Sequence, residues 1–250
     1  MRQAAAGPVF ECGPLARVAA HCFTARPADA RPDREGSERV WAGLAEELGV
    51  SQIHRLRQVH GVGVARFLRG ADAKGVGRSP LEADIAISND PAAAIAVQVA
   101  DCVPLLLADE RSGAVGAVHA GWRGTAAGAV EAAVRAMGDT FGSAPRDLIA
   151  AIGPSIGPCC YEVGEEVRAA FLDIHPAARV DGWFSSHDGG RPRLDLWAAT
   201  SDQLEACGIP ADRIHVAALC TALHPEWFYS YRREGPVTGR LVGVIRARDS

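Results

Sequence analysis

A mixed α/β fold in a single domain is predicted for this 250-residue chain on three observations. Strand-length apolar runs alternate with segments of helical period, and several neighbouring runs are joined by short turns. No repeat, low-complexity block or linker divides the chain. The local hairpins make antiparallel pairs, so the sheet is expected to be mixed and not purely parallel.

In chain order, residues 18–23 read as a first strand, and 26–36, rich in Pro, Asp, Arg and Ala, as a loop. From Ser37 to Leu48 the apolar residues Val40, Trp41, Leu44, Ala45 and Leu48 fall on one helical face, which Gly49 closes. Residues 53–59 and 62–67 read as strands broken by His60-Gly61, and 70–81 as a glycine-containing loop. Residues 85–88 and 94–99 read as buried strands. Then 103–108 and 114–118 form a hairpin around the charged turn Asp109–Gly113. A helix over 126–141, a strand over 148–152, the turn GPSIGPCC and a helix over 164–172 follow. Residues 181–193 read as loop, 194–207 as helix, and 214–219 and 241–245 as strands.

Composition narrows the function. Apolar residues make up 48% and charged residues 22%, as in globular enzymes, and the length allows a sizeable core. A net charge of −4 gives no reason to expect nucleic acid as a partner. No apolar run reaches membrane-span length, so no membrane partner is expected. The first residues lack a continuous apolar stretch, so no export signal is expected. Seven scattered cysteines without a C-x-x-C pair fit reduced thiols, and the expected compartment is cytoplasmic.

Chemistry concentrates in Asp101–Thr125, DCVPLLLADERSGAVGAVHAGWRGT. Cys102 precedes the first hairpin strand and His119 follows the second, so pairing the strands brings thiol and imidazole together. His60, also at a strand edge, is a third candidate. Two imidazoles and one thiolate are good zinc ligands and leave a fourth position open, so His60, Cys102 and His119 are candidate metal ligands. Equally, Cys102 is a candidate nucleophile with His119 as its base. The plainer alternative is a core cysteine with two hydrogen-bonded histidines. A copper oxidase is disfavoured: no two of the eight histidines are separated by a single residue, and a multicopper centre needs dense, paired imidazoles.

Arg123, between Gly121 and Gly124 at a helix entrance, and Arg39, on the exposed side of its helix, are candidate anion binders, against the commoner fate of solvated charge. Asp84, Asp101 and Glu162 are candidate acids or bases, against the alternative of ordinary turn carboxylates. Cys159 and Cys160 are expected as buried small apolar residues. Residues 228–233, FYSYRR, are expected to pack over a flat ring or to form a strand edge.

The succession QVHG, ADCVPLLLAD, VHAGWRGTAAG, GPSIGPCCYEVG and CTALHPEWFYSYRREGPVTGR resembles the laccase-domain, or "polyphenol oxidase", family over residues 18–245. Its members are described as zinc-dependent purine nucleoside phosphorylases, with bacterial relatives also called peptidoglycan editing factor. The resemblance implies an α/β/β/α layered sandwich, with His60, Cys102 and His119 as zinc ligands. Copper is the less expected metal. Arg39 matches a substrate- or phosphate-binding arginine. The implied substrates are phosphate with adenosine, inosine, guanosine or methylthioadenosine, and the implied second activity is adenosine deamination. Arg123 would help to orient phosphate, and Glu162 or Asp101 would carry the deamination proton. The alternatives are a Cys102–His119 hydrolase of a peptidoglycan precursor or other amide, and a non-catalytic nucleoside- or metal-binding module. The sequence departs from the family after Phe23-Thr24-Ala25-Arg26. There PADARPDREG replaces a longer loop expected to border the pocket, and Glu38 stands at the usual Asn.

Overall fold

The computed structural model describes residues 1–70, 81–186 and 190–248. Its strands, in chain order, are β1 (Arg2–Ala4), β2 (Gly7–Phe10), β3 (Ala20–Thr24), β4 (Gln52–His54), β5 (Leu56–Arg57), β6 (Val64–Phe67), β7 (Leu81–Glu82) and β8 (Ile85–Ser88). They continue with β9 (Ala93–Val99), β10 (Val103–Asp109), β11 (Val115–Ala120), β12 (Leu148–Ile152), β13 (Phe184–Ser185), β14 (Arg193–Leu194), β15 (Ile214–Val216) and β16 (Leu241–Arg246).

Twelve of these build two six-stranded sheets, ordered β1-β2-β3-β16-β9-β4 and β15-β12-β10-β11-β8-β6. Both are mixed: β4 pairs parallel with β9, and β6 with β8, among otherwise mostly antiparallel neighbours. The sheets face each other across a core of Phe23, Ile95, Val97 and Ile245 from the first and Leu106, Val115 and Ile149 from the second. They approach closely enough that a Cβ on Gly243 of β16 would lie 3.0 Å from the Pro104 Cβ of β10. Pressing two apolar faces together leaves each sheet one further apolar face to cover. Helix Ser37–Leu48 covers the first with Trp41, Leu44 and Leu48. Helices Ala129–Phe141 and Leu196–Ala206 cover the second with Val130, Met137, Ala199 and Leu204. The layering is α/β/β/α, as the resemblance implied.

Local signals place most elements. Helix Ser37–Leu48 ends at left-handed Gly49, and helix Leu196–Ala206 begins at Asp195, whose carboxylate accepts from the Trp197 and Ala198 N–H groups. Three expectations need correction. The helix expected over 126–141 starts later, as Ala129–Phe141, because left-handed Gly128 (φ 85°) separates it from a short helix before it, Trp122–Ala126. The stretch 181–193 is not wholly loop: β13 and β14 pair across it. Residues 228–233 are not a strand edge, since Tyr231–Glu234 forms a short helix capped by the Ser230 hydroxyl. The loop expected over 70–81 lies almost wholly outside the described residues.

Candidate metal centre

The hairpin register brings the site together. Val103 pairs with Ala120 and Pro104 with His119, so Cys102, one residue before β10, comes beside the end of β11. His60 arrives from the loop between β5 and β6, with its backbone in the left-handed region (φ 62°). For a residue with a Cβ that conformation is uncommon and needs support. Asp84, fully buried just before β8, supplies it. Its carboxylate accepts the backbone N–H groups of Val59 (3.1 Å), His60 (2.9 Å) and Gly61 (2.8 Å). The same carboxylate accepts from His119 Nδ1 at 2.7 Å. Holding the proton on Nδ1 leaves Nε2 of His119 free as a donor, the arrangement of a carboxylate-oriented metal histidine.

Three donor atoms, one each from His60, Cys102 and His119, all lie within 4.8 Å of one another. Cys102 Sγ is 4.0 Å from His60 Nε2, and the two imidazole rings stand edge to face with centroids 4.8 Å apart. Gly121 makes room for them, since a Cβ there would lie 2.8 Å from Cys102 Sγ. Burial by itself would raise the Cys102 thiol, but the facing His119 and His60 rings pull it down to about 6. Burial likewise would lower His119, but the Cys102 thiolate and the Asp84 carboxylate raise it to about 9. Burial works to raise Asp84 too, and hydrogen bonds from His119, Gly61 and Val59 outweigh it, holding the carboxyl below the usual range. The metal-free centre therefore favours a thiolate facing an imidazolium, and a cation can replace the imidazolium proton.

The donors open into a cleft of about 740 Å³, the size of a small-molecule site. Arg57, Arg123, Arg232 and Arg240 line it together with Trp122, Tyr161 and Tyr231. Arg123 lies over the Trp122 ring, 4.3 Å from its centroid. Arg232 lies over Tyr161 at 5.1 Å and donates to the Glu162 carbonyl at 2.8 Å. Arg57 is tied to Glu82. Asp101 is the one carboxylate among the described lining residues, so the walls are predominantly cationic.

The residues singled out from sequence divide. His60, Cys102, His119, Asp101 and Arg123 all line the cleft. Asp101 is nevertheless occupied: Oδ1 accepts from the Thr221 hydroxyl and Oδ2 from the Arg232 N–H, both at 2.6 Å. The Glu162 carboxylate turns away to Arg193, at 3.1 Å. Arg39 is exposed on the helix that covers the first sheet and is not among the lining residues. Pro32, within the shortened PADARPDREG loop, does line the cleft. Cys159 is exposed and Cys160 only half-buried, so neither is the core residue expected. Arg240 and Tyr161 carried no local signal beyond their place in the family motifs, whereas Tyr231 and Arg232 belong to the FYSYRR stretch whose aromatics and cations stand out. Asp84 had one: a carboxylate immediately before an apolar strand, in EADIAIS.

No second histidine cluster joins the centre among the described residues. His21 accepts from the Cys12 N–H, His54 stacks on Phe67, His175 bonds the Ala126 carbonyl and His224 faces Glu226.

A family described as multi-copper polyphenol oxidoreductase laccase matches residues 31–248. A purine nucleoside phosphorylase of Streptomyces coelicolor is 41% identical over 204 residues, covering 80% of this chain and 78% of that protein. One of Deinococcus radiodurans is 38% identical over 220 residues, covering 88% and 79%. One of Bacteroides thetaiotaomicron is 38% identical over 163 residues, which span 65% of this chain and 60% of that protein. Among solved structures, YlmD from Geobacillus stearothermophilus superposes with a TM-score of 0.83 at 29% identity, covering 95% of this chain and 94% of that one. The Neisseria meningitidis protein NMB0706 superposes with a TM-score of 0.80 at 28% identity, covering 93% and 95%. With motifs, fold and relatives in agreement, the chain belongs to the multi-copper polyphenol oxidoreductase laccase family, many of whose members are named purine nucleoside phosphorylases.

Proposed function

We propose that this protein is a zinc-dependent purine nucleoside phosphorylase acting on adenosine, inosine, guanosine or methylthioadenosine. The observation that carries the reading is a two-imidazole, one-sulfur donor set opening into a cleft lined by arginines and aromatic rings. The donors suit zinc: in a tetrahedral site sulfur and nitrogen lie about 3.5 Å apart, near the 4.0 Å between Cys102 Sγ and His60 Nε2. When bound, zinc supplies a Lewis-acidic positive charge at the cleft floor.

The chain's own residues do the remaining work. Phosphorolysis needs a multiply charged phosphate held against C1′ of the ribose while positive charge grows on the sugar. Arg123 and Arg232, pre-oriented on Trp122 and Tyr161, hold the phosphate by charge and by directed N–H groups. Tyr161 and Tyr231 offer flat faces for the purine. Asp101 anchors the wall by fixing the Arg232 backbone to Thr221. Adenosine deamination in the same cleft is the secondary reading, because Asp101 is engaged and Glu162 faces outward, leaving neither expected proton carrier free. One observation favours a rival. The chain Asp84–His119–Cys102, with its thiol drawn down to about 6, is also the order of a cysteine hydrolase.

Metal content and turnover measured on one sample test these readings. Inosine and adenosine are followed by chromatography with and without phosphate. About one zinc per chain, with ribose-1-phosphate and free base formed only with phosphate, is expected. Equal base release without phosphate would make the enzyme a nucleoside hydrolase. Protein that gains no nucleoside turnover on added zinc, yet cleaves an amide substrate through a covalent Cys102 intermediate, would make it a cysteine hydrolase. Tight nucleoside binding without product would make it a binding module.

A further inference from the structure

A second group of soft donors lies in the GPSIGPCCYEVG turn, and the reaction proposed above does not use it. The sulfurs of Cys159, Cys160 and Cys220 all lie within 4.8 Å of one another, those of Cys159 and Cys160 at 3.5 Å. Two distant segments bring them together. The Cys160 and Tyr161 N–H groups donate to the Gly157 carbonyl at 3.0 and 3.1 Å, closing a tight turn. That turn is pressed on Trp197, where a Cβ at Gly157 would come within 2.6 Å of the indole ring. Cys220, downstream of β15, is laid under the turn by Ser155, whose N–H donates to Leu219 (3.2 Å) and whose carbonyl accepts from Thr221 (3.0 Å). The Gly157 N–H points at Cys220 Sγ, 3.3 Å away.

Burial is graded across the group. Cys220 is 3% exposed, Cys160 is half-buried and Cys159 is exposed. The result is a closed floor with an open mouth. It differs from Cys22, which is sealed among the apolar side chains of the first sheet. The donor set is also unlike the first centre, since it holds sulfur alone. All-sulfur donors select soft, closed-shell ions and disfavour the hard cations that carboxylates hold. Three thiolates sharing one ion at about 2.3 Å stand roughly 3.8–4.0 Å apart, within the spacing found here. With three sulfurs and no imidazole or carboxylate in the group, three-coordinate copper(I) is the matching ion.

We propose that Cys159, Cys160 and Cys220 form a three-thiolate copper(I) site, separate from the His60–Cys102–His119 centre. The ion enters already as copper(I), so no electron is transferred. Each thiol that coordinates loses its proton to solvent as its sulfur–copper bond forms. The site adjoins the cleft through the chain: Tyr161 follows Cys160 and lines the cleft, and Thr221 follows Cys220 and holds Asp101.

Anaerobic titration of the reduced full-length protein with copper(I), in competition with a chromogenic copper(I) chelator, tests this. The near-ultraviolet thiolate-to-copper charge-transfer band identifies the ligands. Cys102→Ser, which removes the sulfur of the first centre, should still take up one equivalent and show the band. Adding Cys159→Ser and Cys160→Ser to that variant should abolish both. Should Cys102→Ser fold poorly by circular dichroism, the same one-equivalent difference is expected between the unmodified protein and Cys159→Ser/Cys160→Ser, whose positions are not buried. Uptake that is not lowered by one equivalent on loss of both cysteines overturns the site. So does a Cys102→Ser protein that binds no copper(I), or copper addition that yields a disulfide among these cysteines without stoichiometric uptake.

Discussion

The two ends of the β10–β11 hairpin each bury a carboxylate, and they satisfy it in opposite ways. At the turn end Asp109, 2% exposed, accepts from the Arg111 N–H (2.9 Å) and the Ser112 hydroxyl (2.7 Å). Left-handed Gly113 then returns the chain, and the Asp109 N–H reaches the Ala114 carbonyl at 2.9 Å. Those two hydrogen bonds to the carboxylate come from the turn itself, and other segments add backbone contacts around it, with the Glu110 N–H on the Asp147 carbonyl (3.1 Å) and the Arg248 N–H on the Gly113 carbonyl (3.2 Å). At the open end Asp84 gathers the N–H groups of residues 59–61 and the ring of His119, each from a different part of the chain. A carboxylate met by the N–H and hydroxyl of its own turn closes that turn. A buried acid that draws in a left-handed histidine loop and a second histidine gathers a donor set, and it is that assembly, not burial of charge as such, that distinguishes the open end.

Breaking the open end directly has the largest expected effect. His60→Ala, Cys102→Ala and His119→Ala should each abolish nucleoside turnover and metal retention while circular dichroism stays native, and full activity in metal-free Cys102→Ala protein would sink the assignment. Asp84→Asn comes next. It removes the orienting charge, so metal affinity should fall about 10–100-fold in chelator competition; unchanged affinity would make Asp84 a loop anchor only. A pH series sharpens the comparison further. In metal-free protein the Cys102 thiolate persists above about 6 and is lost below it. Alkylation of Cys102, mapped by peptide mass, should therefore level off near neutrality and drop about tenfold at one pH unit below the midpoint. Added zinc should suppress it. Burial raises Cys12, Cys22, Cys159, Cys160 and Cys207, so these should react more slowly at neutral pH. The smallest effect belongs to the turn end: Ser112→Ala should cost about 1 kcal/mol of stability by denaturant titration, with metal content and turnover untouched.

The same contrast explains what could be read from the amino-acid order. The hairpin, helix Ser37–Leu48 with its Gly49 stop, and the joining of Cys102 to His119 all follow from local period and pairing, because strand register carries one chain position onto another. His60 could not be joined to them locally. Its place depends on β6 lying parallel to β8 and on three N–H groups finding Asp84, which no spacing encodes. Arg39 rests on the resemblance and not on its local pattern, since an exposed helical arginine gives no sign of which layer lies beneath it. The arginines that do line the cleft come from separate regions, Arg57 in β5, Arg123 after β11, Arg232 in the short helix Tyr231–Glu234 and Arg240 just before β16. Only the family motifs linked those segments before the fold did.

The passage from β9 of the first sheet to β10 of the second takes only residues 100–102, and Cys102 is its last step. His119 and Asp84 belong to the second sheet and its immediate flank, so the cysteine stands on the joint and the imidazole on the wall. Close-packed layers transmit displacement with little give. Any shear of one sheet past the other would thus pull first on the separation between sulfur and ring. The spacing between sulfur and ring is therefore set by how the two sheets pack as well as by the register of the hairpin.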